Sequence, residues 1–319
     1  MALAIGVDLG GTNARAAVVD ADTGEIVAAH KEPLHDRAPT RVVGVVVHAV
    51  REATQAAGLD PGARGVVGVG VAGQCLGRSG VVLNAPNLGW RDVPFGELLR
   101  AALGLEVRVA NDLTVAAWGE KRFGAAKGIE DVVLVFVGTG VGSGLILGGK
   151  PYDGAKGLAG EFGHVKVRPP RRETKVRRCG CGQDGCLEAY TSGVNVAARV
   201  REEIAAGAAT GVLDLVDGDL TRVSATVVDD AFRAGDAYAI ALWEEVGELL
   251  GTAMANLITL LNPERVILGG GVLLGSPGLA SIARRWLDRT VSRSATNGLT
   301  IEHAWLGDDA GVIGAAVLE

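Results

Sequence analysis

The chain has 319 residues, 48% of them hydrophobic and 21% charged, and carries a formal net charge of -6. That length allows two domains of ordinary size with ample core, and the charge gives no overall field favouring nucleic acid or an anionic membrane. No apolar run reaches the length of a membrane span, and "MALAIGVDLGG" shows neither a basic leader nor a cleavage site, so the expected setting is the cytoplasm.

The opening third reads as strands, a helix and a strand. "LAIGVDL" (Leu3–Leu9) and "ARAAVVD" (Ala14–Asp20) are β-branched runs joined by a Gly-rich turn, and "ADTGEIV" turns into a further strand. Residues Pro39–Gly58 predict a helix that starts at proline and stops at glycine, and "GVVGVGV" (Gly65–Val71) predicts a buried strand. The layout then recurs in "DVVLVFVGTGVGSGLILGGKPYDG" (Asp131–Gly154), which suggests a duplicated α/β unit with two domains facing each other across a cleft. Asp236–Asn262 predicts a long helix beginning at an N-cap and ending before Pro263. A strand ending in three glycines (Val266–Gly271), a helix near Leu279–Val291 and a last strand and helix complete the chain. No linker separates the halves, so the boundary is expected at a hinge near Asp112. Many of the 48 glycines gather at the ends of apolar runs, which predicts turns and close backbone approach to a ligand.

"DLGGTN" (Asp8–Asn13) lies between two strands. Its glycines would let backbone N–H groups approach a phosphate, with Thr12 adding a hydroxyl and Asp8 orienting a hydrated Mg2+; the plain alternative is a hairpin turn. "GTGVGSG" (Gly138–Gly144) offers a second such turn, with Thr139 in the place of Thr12. "LGGG" (Leu268–Gly271) would let an adenine or ribose lie against bare backbone. No G-x-x-x-x-G-K-[ST] sequence occurs, which excludes a P-loop NTPase. "GVGVAG" (Gly68–Gly73) has dinucleotide-fingerprint spacing, but its glycines fall inside the strand and "QCLGRSG" follows where a helix is required, so dinucleotide binding is not expected.

In "ANDLTVAAWGE" (Ala110–Glu120), Asp112 is either the N-cap of a helix or a general base for a substrate hydroxyl. "LNAPNLGW" (Leu83–Trp90) supplies amides in a Pro-containing loop, suited to sugar hydroxyls or simply to turn chemistry.

His164, Cys179, Cys181 and Cys186 give three thiolates and one imidazole, a closed tetrahedral set that reads as structural zinc. In a reducing compartment a disulfide is disfavoured. Cys75 stands apart as an ordinary thiol, and the basic run Arg168–Arg178 reads as a solvated loop. The zinc segment is flanked by Glu161 and Glu188. Metal ligation through one ring nitrogen would fix the tautomer of His164 and leave the other nitrogen for substrate. Two carboxylates and an oriented imidazole make a polyol-binding surface.

Taken together, "DLGGTN", "APNLGW", "NDLTVAAWGE", "VGTGVGSG", "GEFGH", "CGCGQDGCLE", "LGGG" and "AGVIGAA", in this order, resemble the ROK family of sugar kinases over essentially the whole chain. The resemblance implies an α/β, two-domain actin/hexokinase-like (ribonuclease H-like duplicated) fold with an interdomain cleft. It implies a small domain of residues 1–112 plus 305–319 and a large one of 113–304 carrying the zinc site. By the same resemblance, Asp8, Gly10, Gly11 and Thr12 look like the first phosphate loop and Thr139 with Gly140 like the second, with Gly269, Gly270 and Gly271 on the nucleotide. Asp112 looks like the catalytic base with Asn111 beside it on the sugar. Glu161, His164 and Glu188 look like hydroxyl ligands, completed by Asn87 and Gly73, and His164, Cys179, Cys181 and Cys186 like the zinc ligands. The loop "GVAGQCLGRSG" departs from the Pro- and Asp-containing form expected of the family, and the basic loop is longer than expected.

The activity this implies is an ATP-dependent hexose kinase, a glucokinase first, using Mg2+ with ATP. N-acetylhexosamine kinase, fructokinase and a non-catalytic sugar sensor are the alternatives. Repressors of the family carry an added DNA-binding segment, which is not expected ahead of this first strand. A homodimer or higher homo-oligomer is the family expectation for assembly.

Overall fold

The computed structural model describes residues 2–59, 65–77, 79–173 and 175–318. In chain order come β1 (Leu3–Leu9), β2 (Asn13–Asp20), β3 (Ile26–Pro33), α1 (Pro39–Ala56), β4 (Val66–Val71), β5 (Gln74–Leu76), β6 (Val81–Ala85), β7 (Trp90–Val93), α2 (Phe95–Leu103), β8 (Glu106–Asn111) and α3 (Asp112–Phe123). Then follow β9 (Val132–Val137), β10 (Val141–Leu147), β11 (Lys150–Pro151), a 3-10 turn at Phe162–His164, α4 (Glu188–Thr191), α5 (Gly193–Ala205), α6 (Val212–Leu215), α7 (Ala225–Arg233) and α8 (Ala237–Leu261). The last elements are β12 (Arg265–Gly269), α9 (Gly271–Gly275), α10 (Pro277–Thr290), β13 (Thr300–His303) and α11 (Ala310–Ala316). Asp236 caps α8 as expected, its carboxylate accepting from Ala239 N at 2.8 Å.

The duplication is explicit in the sheets. One runs β3-β2-β1-β4-β8 and the other β11-β10-β9-β12-β13, so each repeats the same order of hairpin strands followed by crossover strands. β1 pairs antiparallel with β2 and parallel with β4, and β4 pairs parallel with β8. In the second sheet the β10–β11 pair is antiparallel and the β12–β13 pair parallel. A third sheet, β5-β6-β7, was not expected: part of "LNAPNLGW" is strand rather than loop, and only Pro86–Gly89 turns. Its strands are three to five residues long, below the length at which alternation is legible.

By compactness the chain forms two units, one of residues 1–134, 144–160 and 304–319, the other of 135–143 and 161–303. These limits differ from the expected break at Asp112, because α3 packs on α11 within the first unit. There the close approach is made by glycines: a Cβ on Gly314 would lie 1.8 Å from Val115 O, and one on Gly119 2.6 Å from Ala310 O. Gly68, which belongs to the fingerprint-like "GVGVAG", has the same use: its Cβ would sit 1.7 Å from Ala315 O. Those glycines serve close packing at α11, a use that their spacing along the chain does not show.

In the second unit, buried Trp243 of α8 donates from Nε1 to Asp229 of α7 at 2.8 Å. The basic run is not simply solvated. Arg172 pairs with Glu245 at 2.9 Å, and Arg177 pairs with Glu173 at 2.6 Å and Glu202 at 3.0 Å. Beneath them Arg199, 1% exposed, meets Glu173, Glu203 and Glu245 at 3.1, 2.8 and 2.6 Å. The loop's charges are matched by its own Glu173 and by Glu202 of α5 and Glu245 of α8, the last two at distances along the chain that spacing does not reveal.

Candidate functional site

In the first unit, parallel pairing collects the predicted residues on one edge. Leu9, Val71 and Asn111 are in register across β1, β4 and β8, so these three strands end side by side. Ligand sites of α/β sheets form at such carboxyl ends. From this edge emerge the turn Gly10–Thr12, the Gly73 segment and Asp112.

The turn after β1 is closed by Gly10 N donating to Asn13 O at 3.0 Å and held from outside by Arg37 Nε on Gly11 O at 3.0 Å and Leu34 N on Thr12 O at 2.8 Å. Gly11 has no room for a side chain: a Cβ would lie 2.7 Å from Asn87 Cβ. The Gly10–Thr12 turn therefore rests directly on the Pro86–Gly89 turn, and Asn87 itself is exposed. Gly73 is similarly confined, its would-be Cβ 2.7 Å from Asn84 O.

Asn111 settles the two readings of Asp112 as far as capping is concerned. Its Oδ1 accepts from Leu113 N at 2.9 Å and Thr114 N at 3.2 Å, which makes Asn111 the N-cap, while its Nδ2 donates to Gly73 O at 3.0 Å. Asp112 is the first residue of α3. Both have the chemistry of a cap, and the sequence leaves open which of two adjacent candidates takes the position.

Asp8 lies opposite Arg15 in the β1–β2 ladder. Burial pushes its carboxyl above the ordinary carboxylate range; Arg15 and Lys31 pull it back, and Asp308 adds repulsion. Arg15 itself pairs with Asp309 at 2.6 Å. The segment after β11 brings Asp153 to the start of α3. Thr114 Oγ1, in the first turn of α3, donates to its Oδ1 at 3.5 Å, and burial raises its carboxyl too. Only the "YDG" turn signal marks it in the sequence.

In the second unit the predicted residues form a continuous path. Gly138 N donates to Gly140 O at 2.9 Å, closing the β9–β10 turn with Thr139 exposed at its tip. Glu188, at the start of α4, accepts from Val141 N at 2.9 Å through Oε2, and its Oε1 stands 3.5 Å from Cys179 Sγ. Cys179 Sγ is 3.8 Å from His164 Nδ1, and His164 Nε2 is 3.5 Å from Glu161 Oε2. The imidazole thus turns Nδ1 toward the thiols and Nε2 toward a carboxylate. Gly270, with φ +90°, carries the chain from β12 into α9 against the Val137 backbone. Gly269 and Gly271 flank it; at Gly271 a Cβ would meet nothing, so packing does not require a glycine there.

The donor set fits zinc. One ligand atom from each of His164, Cys179, Cys181 and Cys186 lies within 4.8 Å of the others, and Cys181 Sγ–Cys186 Sγ is 3.7 Å. A tetrahedron with Zn–S bonds of about 2.3 Å has edges of roughly 3.8 Å. Without a cation, burial pushes the Cys179 thiol up to about 12. Three thiolates held this close would need positive charge beside them, of which Lys166 Nζ, 3.1 Å from Cys186 Sγ, would supply part.

The chain belongs to the ROK family, whose profile matches residues 4–319. It is 35% identical over 325 residues to a glucokinase of Streptomyces coelicolor, covering 100% of this chain and 98% of that protein. Among solved structures it is similar to a ROK family glucokinase from Streptomyces griseus in complex with glucose and AMPPNP, with 36% identity, TM-score 0.76 and coverage of 99% and 98% of the two chains. A ROK hexokinase from Thermus thermophilus superposes with TM-score 0.80 at 30% identity, covering 99% of this chain and 97% of that one. The fold is accordingly the two-part actin/hexokinase-like one that the motif order implied. Among the described residues, no helix is long and apolar enough to cross a membrane.

Proposed function

We propose that this chain is an ATP-dependent glucokinase, transferring the γ-phosphoryl group of ATP to the 6-hydroxyl of glucose. Full-length similarity to glucokinases supports the reaction class. The observation that carries the mechanism lies at the start of α3: Asn111 caps the helix, so the Asp112 carboxylate is not needed for capping.

In the proposed step the sugar O6 attacks the γ-phosphorus, an O–P bond forms, and the bond from phosphorus to the β,γ-bridging oxygen breaks, releasing ADP. The hydroxyl proton passes to Asp112. Backbone N–H groups of Gly10, Gly11 and Thr12, with those of Thr139 and Gly140, would stabilise the phosphoryl charge. Gly269, Gly270 and Gly271 would face the nucleoside. Mg2+ arriving with ATP supplies charge neutralisation, and Asp8 would orient its hydration shell. Gly73, Asn87, Asn111, Glu161, His164 and Glu188 would hold the sugar hydroxyls; Glu161 beside His164 Nε2 supports that reading. Cys179, Cys181, Cys186 and His164 would hold a structural zinc, which supplies a rigid junction between Glu161 and Glu188. A homodimer or higher homo-oligomer belongs to the same proposal.

ADP release measured with glucose, N-acetylglucosamine, N-acetylmannosamine and fructose, with polyphosphate tried in place of ATP, tests the function. Glucose with ATP should give the highest kcat/KM. Absence of hexose-dependent ADP release would overturn the assignment.

A further inference from the structure

Outside this machinery, a second group of metal-ligating side chains converges where β3 meets α1. His30 and Glu32 are two residues apart on β3 and so share a face of that strand; both are half-buried. His48, on α1, points at the same place: its Nδ1 is 2.6 Å from Glu32 Oε2. His30 Nε2 is 3.9 Å from that same carboxylate oxygen. The two imidazoles stand edge to face, centroids 5.7 Å apart, and one ligand atom from each of the three residues lies within 4.8 Å of the others. Glu52, one turn along α1, holds Oε1 3.8 Å from His48 Nε2.

We propose that His30, Glu32 and His48 form a second metal site, taking a divalent transition ion of the zinc class. Two neutral imidazoles and one carboxylate are the ligands such ions prefer, and three protein donors leave a coordination position for water. Hard ions such as Mg2+ select oxygen donors instead. The hydrogen bond between Glu32 and His48 would open by less than about 1 Å, since Zn–N and Zn–O bonds near 2.1 Å place ligand atoms roughly 3.3 Å apart. A hydrogen-bonded Glu–His pair alone would not need His30 turned to the same oxygen; a shared ion uses all three. β3 is an edge strand of its sheet. Leu34, just beyond it, donates to Thr12 O at 2.8 Å, so the ion would fasten to α1 the strand that leads to the first phosphate turn.

The test uses the full chain with its thiolate site already loaded with zinc and excess metal dialysed away. Calorimetric titration with Zn2+ should show one further ion per chain, which raises Tm. H30Q/H48Q should bind no further Zn2+, and E32Q should bind it at least about tenfold more weakly. Both variants should keep the wild-type Tm and kcat before Zn2+ is added. In case a variant folds poorly, Co2+ added to the wild-type protein gives an independent reading: d–d absorption without a thiolate-to-cobalt charge-transfer band is expected. No further Zn2+ on the wild type, equal binding by folded H30Q/H48Q, or a thiolate band with Co2+ would each overturn the proposal.

Discussion

Asn111 donates from its side-chain amide to the carbonyl of Gly73 over 3.0 Å while its oxygen caps α3. One residue thus ties the end of β8 to the segment after β4 and fixes where the helix starting at Asp112 begins. The roles of two neighbours separate as a result, and so do the expected effects of changing them.

Asp112→Asn leaves the cap in place, so stability should fall by no more than about 1 kcal/mol, the worth of one carboxylate in a first helical turn. Turnover should drop roughly 10²–10⁴-fold, as for loss of a positioned base. Asn111→Ala should instead cost about 0.5–2 kcal/mol of stability through the lost cap. Chemical denaturation and steady-state kinetics on both variants check this; near-wild-type turnover in Asp112→Asn would remove Asp112 from the mechanism.

The thiolate site should retain a zinc ion through dialysis without chelator. Cys181→Ala should lose it and raise the KM for glucose, because the Cys179–Glu188 and His164–Glu161 contacts lose their common anchor. Metal analysis and glucose titration report the two effects separately. Freshly purified protein without zinc would contradict the prediction.

Asp8→Asn should raise or preserve stability while lowering activity. A carboxyl whose folded pKa is raised, as Asp8's is by burial, contributes stability that is fully present below the unfolded pKa and lost as pH rises through the folded one. At about pH 8 the native protein therefore carries an unfavourable buried charge that the amide lacks, whereas at about pH 4 and below the difference should shrink. Thermal melts of both proteins across that range give the sign directly; a variant much less stable than wild type at the higher pH would refute it.

Arg199→Ala removes the buried cation shared by Glu173, Glu203 and Glu245, leaving Glu173 with Arg177 and Glu245 with Arg172. Removing one partner of a buried ion pair costs about 3–5 kcal/mol, and the loop carrying Arg172 and Arg177 should loosen with it. Coupling with Glu245→Gln should make the double variant less destabilised than the sum of the singles. Additive losses would mean the groups act independently.

Glucose should exceed N-acetylglucosamine in kcat/KM by about 10²-fold or more, since a site hydrogen-bonded to a hydroxyl leaves buried groups unpaired with an analogue lacking it. Parallel assays with ATP decide; equal efficiency would shift the assignment to an N-acetylhexosamine kinase.

Much of this protein is determined by its sequence directly. The β-branched runs of β1, β2, β4 and β9, the span of α8 and the four donors His164, Cys179, Cys181 and Cys186 are legible because each depends on local periodicity, caps or the chemistry of residue types. Tertiary structure alone decided what depends on approach between distant segments. The β5-β6-β7 sheet has strands too short to show a period. Nothing along the chain marks Gly68 and Gly314 as contact points until β4 and α3 are laid against α11. Asn111 rather than Asp112 caps α3, its amide held on Gly73 O at the end of strands in register, and His30, Glu32 and His48 meet only when β3 packs on α1. Pattern along a chain records which residues can do a task; three-dimensional neighbours select the one that does it.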